Sequence, residues 1–346
     1  MKIIKNTLIG LFLAFTIIFL VNLNGSNVKA AGVDFSVSPV FSTGQNKKQS
    51  AYYDLKSKPN QTYQLKAAVK NSSDHDITIH ASANTALTSD NANINYGENN
   101  AKTFDTSMKY PFSKLVTDNK KNLHIPANQS VITSFNVKAP AVTFPGKILG
   151  SLTFTNDPDK NGNTKGKLTI HNAYSYALPV LISENVDAQP NLKLLKAGGK
   201  LINGSNSFYG RFRNNQPNLM TSVKMSGAIY SKNGYDNHEK PLYTNINRNA
   251  SIAPNSSFKF LVPTNNQAFK SGDYVYVGKV DWGKHHWKYV KDFHMSFAKA
   301  YHANKEATGV HADYTWLWLL LAALLIILIL IIIIIKLYLK NKHNSK

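Results

Sequence analysis

Apolar side chains fall at every second position over much of this chain. Tyr63, Leu65, Ala67 and Val69 form one such stretch, followed by Ile77, Ile79 and Ala81, by Phe135 and Val137, and by Ile148, Leu152 and Phe154. The pattern resumes at Phe208 and Phe212, at Val223, Met225 and Ile229, and at Phe258, Phe260 and Val262. A period of two with one apolar face predicts half-buried antiparallel strands. Asn161-Gly162, Asn203-Gly204 and Asn233-Gly234 supply residues that tolerate positive φ, so tight hairpins are expected at all three. The class is all-β, read as two tandem immunoglobulin-like β-sandwich domains.

The two halves repeat one plan. Ile125-Pro126-Ala127-Asn128 precedes a strand ending near Val137, and Ile252-Ala253-Pro254-Asn255 precedes one ending at Val262. After each comes an aromatic-plus-glycine turn into a hydrophobic strand, Phe144-Pro145-Gly146 in the first copy and Phe269 to Gly272 in the second. By this alignment the polar stretch 155–167 is a loop inside the first domain. The linker is then 184–190, where alternation stops and Pro190 blocks strand pairing. The domains read as 31–185 and 186–298, with 299–313 as a polar stalk.

Both ends of the chain depart from this pattern. Lys2 and Lys5 lead an apolar run over 8–21 and a polar stretch ending Val28-Lys29-Ala30, the layout of a secretory signal peptide over 1–30 with cleavage between Ala30 and Ala31. At the far end, 316–335 is an uncharged run of Trp, Leu, Ala and Ile, long enough for one transmembrane α-helix placed at 314–335. Trp316 and Trp318 suit the outer membrane interface and Lys336 the inner one. The basic tail 336–346 puts the C-terminus in the cytoplasm and the body of the chain outside, facing the cell wall. No Leu-Pro-x-Thr-Gly signal precedes this run, so covalent wall attachment is not expected.

Cysteine is absent, so an exported chain must draw its stability from hydrophobic cores rather than disulfides. The formal net charge is +21, and it is unevenly spread. Residues 31–158 hold 13 Lys and Arg against 9 Asp and Glu, whereas 159–313 hold 20 against 10. Outside a cell this field favours polyanions such as teichoic acids, anionic lipid or acidic proteins, and nucleic acid is not an expected partner.

Catalytic signatures are missing: no Gly-x-Ser-x-Gly elbow, no thiol, no phosphate-cradling glycine loop, and His238-Glu239 lacks a zincin's second histidine. The expectation is therefore no enzyme, no cofactor and no metal site. Asp74-His75-Asp76 follows Asn71-Ser72-Ser73 and reads as a solvated turn, with cation ligation as the alternative. Tyr52, Tyr53, Tyr110 and Phe112 flank turns where rings could stack on sugars, or pack into the core. His285 and His286 lie between Trp282 and Trp287 on a hairpin that could bind metal, sugar or protein. Alternation would instead put Trp287 in the core and the histidines at its edge.

Phe35-x-Val37-x-Pro39, Tyr52-Tyr53-Asp54-Leu55, Val69-Lys70-Asn71, Met108-Lys109-Tyr110-Pro111-Phe112 and Phe144-x-Gly146-x-Ile148-Leu149-Gly150 occur in that order. Together with Ile252-Ala253-Pro254-Asn255-Ser256 and Gly272-x-Tyr274, they closely resemble the WxL-interacting proteins of lactobacilli and enterococci. Ser151 stands where many relatives have a second glycine. The resemblance implies a first domain that binds peptidoglycan, and a second that binds a WxL-domain surface protein or a host extracellular-matrix protein. It implies no enzymatic activity and transfers no ligand-contacting residue. The expected function is a membrane-tethered cell-surface adaptor or adhesin. The alternative is a chaperone-like protein that presents an edge strand to an exported client.

Overall fold

The computed structural model describes residues 34–41, 51–97, 104–157, 173–184, 186–310 and 315–344, and within the last of these the side chains at 320–335. The signal peptide with Ala30 and Ala31, and the Asn161-Gly162 turn, lie outside the described residues.

The first domain is two facing sheets. One has the order β1 (Phe35–Val40), β3 (Thr62–Asn71), β9 (Ser130–Lys138) and β7 (Val116–Thr117). The other runs β2 (Tyr53–Lys56), β11 (Ser175–Ser183), β10 (Lys147–Asn156), β4 (Ile77–Thr85) and β8 (Lys120–Ile125). The alternation seen in sequence sends Leu65, Val69, Phe135 and Val137 inward from the first sheet to meet Leu55, Ile79, Leu152 and Phe154 from the second. All pairings are antiparallel except that of β2 with β11. β10 is buried on both faces, because a segment of its own domain covers the outer one. There the hydroxyls of Ser151 and Thr153 donate to the Tyr96 carbonyl.

The second domain repeats the plan. One sheet is β12 (Leu192–Ile202), β13 (Ser205–Asn214) and β16 (Ser256–Pro263); the other is β15 (Tyr243–Ile252), β14 (Met220–Ser231), β17 (Gly272–Trp282) and β18 (His285–Met295). Phe208, Phe212, Phe260, Met225, Ile229 and Tyr276 meet between them. The order β12-β13-β16 mirrors β1-β3-β9, and β18-β17-β14-β15 mirrors β11-β10-β4-β8. The matching turns agree in backbone detail, since Asn128 and Asn255 both adopt positive φ, 57° and 49°.

Two local expectations fail. Asn203-Gly204 does form the β12–β13 hairpin, with φ of 49° and 75°, but Asn233-Gly234 lies in a short helix, Lys232–Asp236. Ser231 caps that helix by accepting from the Gly234 amide at 3.1 Å, which favours a helical turn over a two-residue hairpin. The expected stalk also begins differently. A helix, Phe297–Glu306, capped by Ser296, folds back onto the second core and buries Ala300 there. Its polar composition hid an anchor: Asn304 Oδ1 accepts from the Phe269 amide at 2.8 Å and from Asn206 Nδ2 at 2.7 Å.

The last helix is Thr315–Asn344, so Trp316, Trp318 and Lys336 lie on it, although their side chains are outside the described residues. Its described side chains, 320–335, are Leu, Ala and Ile, all exposed. Among the described residues no helix is long and apolar enough to cross a membrane.

Candidate binding site at the domain joint

The segment that follows β4 leaves the first domain and enters the second. It holds β5 (Leu87–Thr88) and β6 (Ile94–Asn95), and between them Ala92 is fully buried in the second domain's core. β15 and β16 are edge strands of opposing sheets, and the Asn91-Ala92 backbone bridges the seam between them. The Asn91 amide donates to Lys259 O at 3.0 Å on β16, and the Ser251 amide on β15 donates to Ala92 O at 2.8 Å. Positive φ at Asn91 and Ala92, 75° and 59°, turns the segment so that both contacts form.

Further along the same segment, Asp105 ties the two domains. Its Oδ1 accepts from Arg213 Nη2 at 2.7 Å and Nε at 3.0 Å, and its Oδ2 accepts from Ser257 Oγ at 2.8 Å. Burial pushes the Asp105 carboxyl up, but the donors Arg213, Ser107 and Ser257 outweigh it and hold its pKa at about 2. Beside this clamp, Ala86, Leu149, Leu181 and Ala253 form a small apolar cluster on which Tyr52 packs.

A cleft of about 290 Å³ opens at this joint. Its floor is the end of β4 and the start of β10; its walls are 107–110, the Phe144-Pro145 turn, and the Asn215–Pro217 and Pro254-Asn255 turns of the second domain. Gly146 sets one wall: at φ +73° it brings the chain against Pro217, whose carbonyl accepts from the Lys147 amide at 2.7 Å. Tyr110 and Phe144 meet with ring centroids 6.1 Å apart. Lys109 and Lys147 are the lining's charged residues, and no acid joins them. The lining thus offers aromatic faces, amide side chains and two cations, a combination suited to a polar ligand bearing a carboxylate or phosphate.

The sequence candidates separate on this frame. Tyr110 lines the cleft and Tyr52 packs beside it. Tyr53 and Phe112 are corrections: at 2% and 0% exposure both belong to the first core, where alternation on β2 and the crowding of Phe112 against Gly150 place them. His285 and His286 belong to a different surface, the β17–β18 hairpin. His285 stacks between Trp282 and Trp287, at centroid distances of 5.9 and 5.3 Å, and Trp287 is half-buried against the core. His286 points outward to Asp281, 2.8 Å away. Among the described residues no group of three or more His, Asp or Glu is placed to hold a metal. Asp105, Arg213 and Ala92 were missed; the turn-rich run Asn214-Asn215-Gln216-Pro217 was the one sequence signal near them.

Comparisons with solved structures return chaperones at low similarity. The YadV chaperone is 13% identical, with 76% of this chain and 100% of that chain covered and a TM-score of 0.30. The CsuC–CsuE chaperone–tip adhesin complex of Acinetobacter baumannii is 11% identical, with 75% and 98% covered and a TM-score of 0.31. The E. coli chaperone DraB is 14% identical, with 76% and 97% covered and a TM-score of 0.27. Scores this low carry no argument about function. No curated protein matches the sequence. The family comparison is decisive: residues 35–156 match the WxL-interacting protein peptidoglycan-binding domain, and residues 165–305 match the WxL-interacting protein host-binding domain. With both models matched in that order along one continuous two-sandwich body, this chain belongs to the WxL-interacting protein family.

Proposed function

We propose that the protein is a non-enzymatic surface adaptor. The first domain binds peptidoglycan, the second holds a WxL-domain protein or a host matrix protein, and the C-terminal helix tethers both to the membrane with the sandwiches outside. The observation that carries this reading is the ordered pair of matched domains, each described as a binding domain. Their two-sheet form, with seven principal strands in the second, supports an immunoglobulin-like class. Export by a cleaved signal peptide and anchoring by 314–335 rest on the apolar runs at the two ends of the sequence.

Within this reading the joint cleft is the site we assign to the wall polymer. N-acyl amino sugars present an apolar ring face and amide groups, and their peptide stems carry carboxylates. Tyr110, the Asn and Gln amides, and Lys109 with Lys147 supply matching partners. The test is co-sedimentation of the full chain, in detergent, with purified peptidoglycan and, separately, capture of a purified WxL-domain protein. Tyr110→Ala should weaken wall binding by roughly tenfold, the scale of one lost stacking contact, and leave partner capture unchanged. Unchanged wall binding in that variant removes the cleft from the assignment; absence of any wall binding by the parent chain removes the adaptor reading itself.

A further inference from the structure

The second domain's surplus of positive charge is not evenly spread over its surface. On the outer face of the β12-β13-β16 sheet, Lys196 is paired in register with Arg211, and Arg211 with Lys259. Three cations therefore stand side by side across three strands, at the roughly 4.8 Å spacing of neighbouring strands. Like charges directly opposite one another destabilise a sheet. The next row adds Lys193 opposite Arg213, and Lys200 lies further along β12.

Local structure builds this arrangement. The register shifts between Leu194 and Lys196, leaving Leu195 as the extra residue of a β-bulge. Strict alternation from Lys193 would place Leu195 opposite Arg211 and turn Lys196 towards the core. The bulge returns Lys196 to the outer face and Ala197 to the inner one, where it is 4% exposed. Lysines along β12 guard a free edge against strand pairing. That need does not account for Arg211, which stands on the central strand.

Acids relieve only the end of the face nearest the first domain. Asp105 pairs with Arg213 at 2.7 Å, and Asp90 lies 3.6 Å from Lys259. Lys193, Lys196, Lys200 and Arg211 have no carboxylate partner among the described residues. The face also lacks the apolar centre that a protein interface needs. Leu195, at 41% exposure, is its one exposed large hydrophobic residue among those described.

We infer that this face binds a linear phosphodiester polyanion, a polyol-phosphate polymer of the wall type, along Lys193, Lys196, Lys200 and Arg211, the cations that no described carboxylate neutralises. A flat row of cations reads repeated backbone charge rather than one shaped epitope. The Arg211 guanidinium adds paired donors that fit a phosphate better than a lone carboxylate. The inference is independent of the peptidoglycan assignment, because it concerns another surface.

The test uses the full chain in detergent micelles, with fluorescent poly(glycerol phosphate) titrated at several salt concentrations. The variant is Lys196→Gln with Arg211→Gln. The control, Lys279→Gln with Lys288→Gln, removes the same charge from a cross-strand pair on the other sheet. The expected result is at least about tenfold weaker binding in the first variant. Its log–log salt slope should also be shallower by roughly 1.4, two phosphate contacts at ~0.7 each. The control should stay within about twofold of the parent. Equal losses in both variants would mean a diffuse field and overturn the site. Equal affinity for poly-glutamate would replace the phosphodiester with an acidic protein. Binding to phosphatidylglycerol vesicles without binding to free polymer would replace it with a lipid surface. Peptidoglycan freed of teichoic polymer should bind both variants like the parent, so a failure here is separable from a failure of the cleft assignment.

Discussion

Asn71 and Asn214 occupy equivalent places in the two sandwiches and hold equivalent turns. Each is the last residue of its strand, β3 or β13, and each is fully buried. The Asn71 amide donates to the carbonyls of Ile125, Pro126 and His75 at 2.8–3.1 Å, while its oxygen accepts from the Ser73 amide and hydroxyl. Asn214 donates to Ala253 at 3.0 Å and Asn218 at 2.8 Å, and accepts from the Gln216 amide at 3.3 Å. Each side chain thus pins the turn by which the chain crosses between sheets. Asn71→Ala and Asn214→Ala leave buried backbone groups unpaired, so each should cost about 2–3 kcal/mol. Urea denaturation followed by hydrogen exchange should place the first loss in the first domain and the second loss in the other. An effect below about 0.5 kcal/mol would mean that water replaces the clip.

The Asp105 clamp predicts an acid-sensitive joint. Its folded pKa, about 2, lies below the unfolded value of ~3.9, so its contribution is complete above about pH 4 and is lost as pH falls through about 2. Two pKa units correspond to roughly 2.5 kcal/mol. The stability gap between the parent and Asp105→Asn should be level from pH 5 to 7 and shrink towards pH 2. A gap that persists at pH 2 would show that the carboxylate charge is not what holds Arg213.

Gly146 is placed to report on how tightly the domains fit. A Cβ there would lie 2.3 Å from the Pro217 carbonyl oxygen, on a backbone with φ +73° that side chains adopt with strain. Gly146→Ala should destabilise by at least ~1–3 kcal/mol and speed proteolysis within 184–190. An unchanged cleavage rate would mean that Pro217 yields without opening the joint.

The helix Phe297–Glu306 is held by Asn304 as well as by Ala300 and Ala303, and the Asn304 side-chain amide also donates to Phe269 O at 3.0 Å. Asn304→Ala should release the helix, raising amide exchange across it while the β17–β18 hairpin stays protected. The expected cost is about 1–3 kcal/mol, from the Phe269 amide left unpaired. Exchange unchanged from the parent would assign the docking to the apolar contacts of Ala300 and Ala303.

The strands and the internal repeat were legible because a half-buried sheet writes its two faces directly into sequence as alternation. Tyr53 and Phe112 show where that reading stops. A ring near a turn looks the same in sequence whether its own sheet or a ligand covers it. Ala92 was invisible for a different reason: a lone alanine in a polar run carries no periodic signal, and its burial depends on strands about 160 residues downstream. The helix Phe297–Glu306 was hidden because polar side chains anchor it. The joint and its cleft are products of tertiary packing between domains, which no local window contains.

The seam filled by Asn91 and Ala92 bears on how such chains can be recombined. The first domain supplies a piece of the second domain's interior, so the second, produced alone, would begin with an open slot in its sandwich. Exchange of single domains between relatives would put a foreign plug into that slot, and most such hybrids would fit badly. The smallest unit that can be inherited, transplanted or displayed intact is therefore the pair.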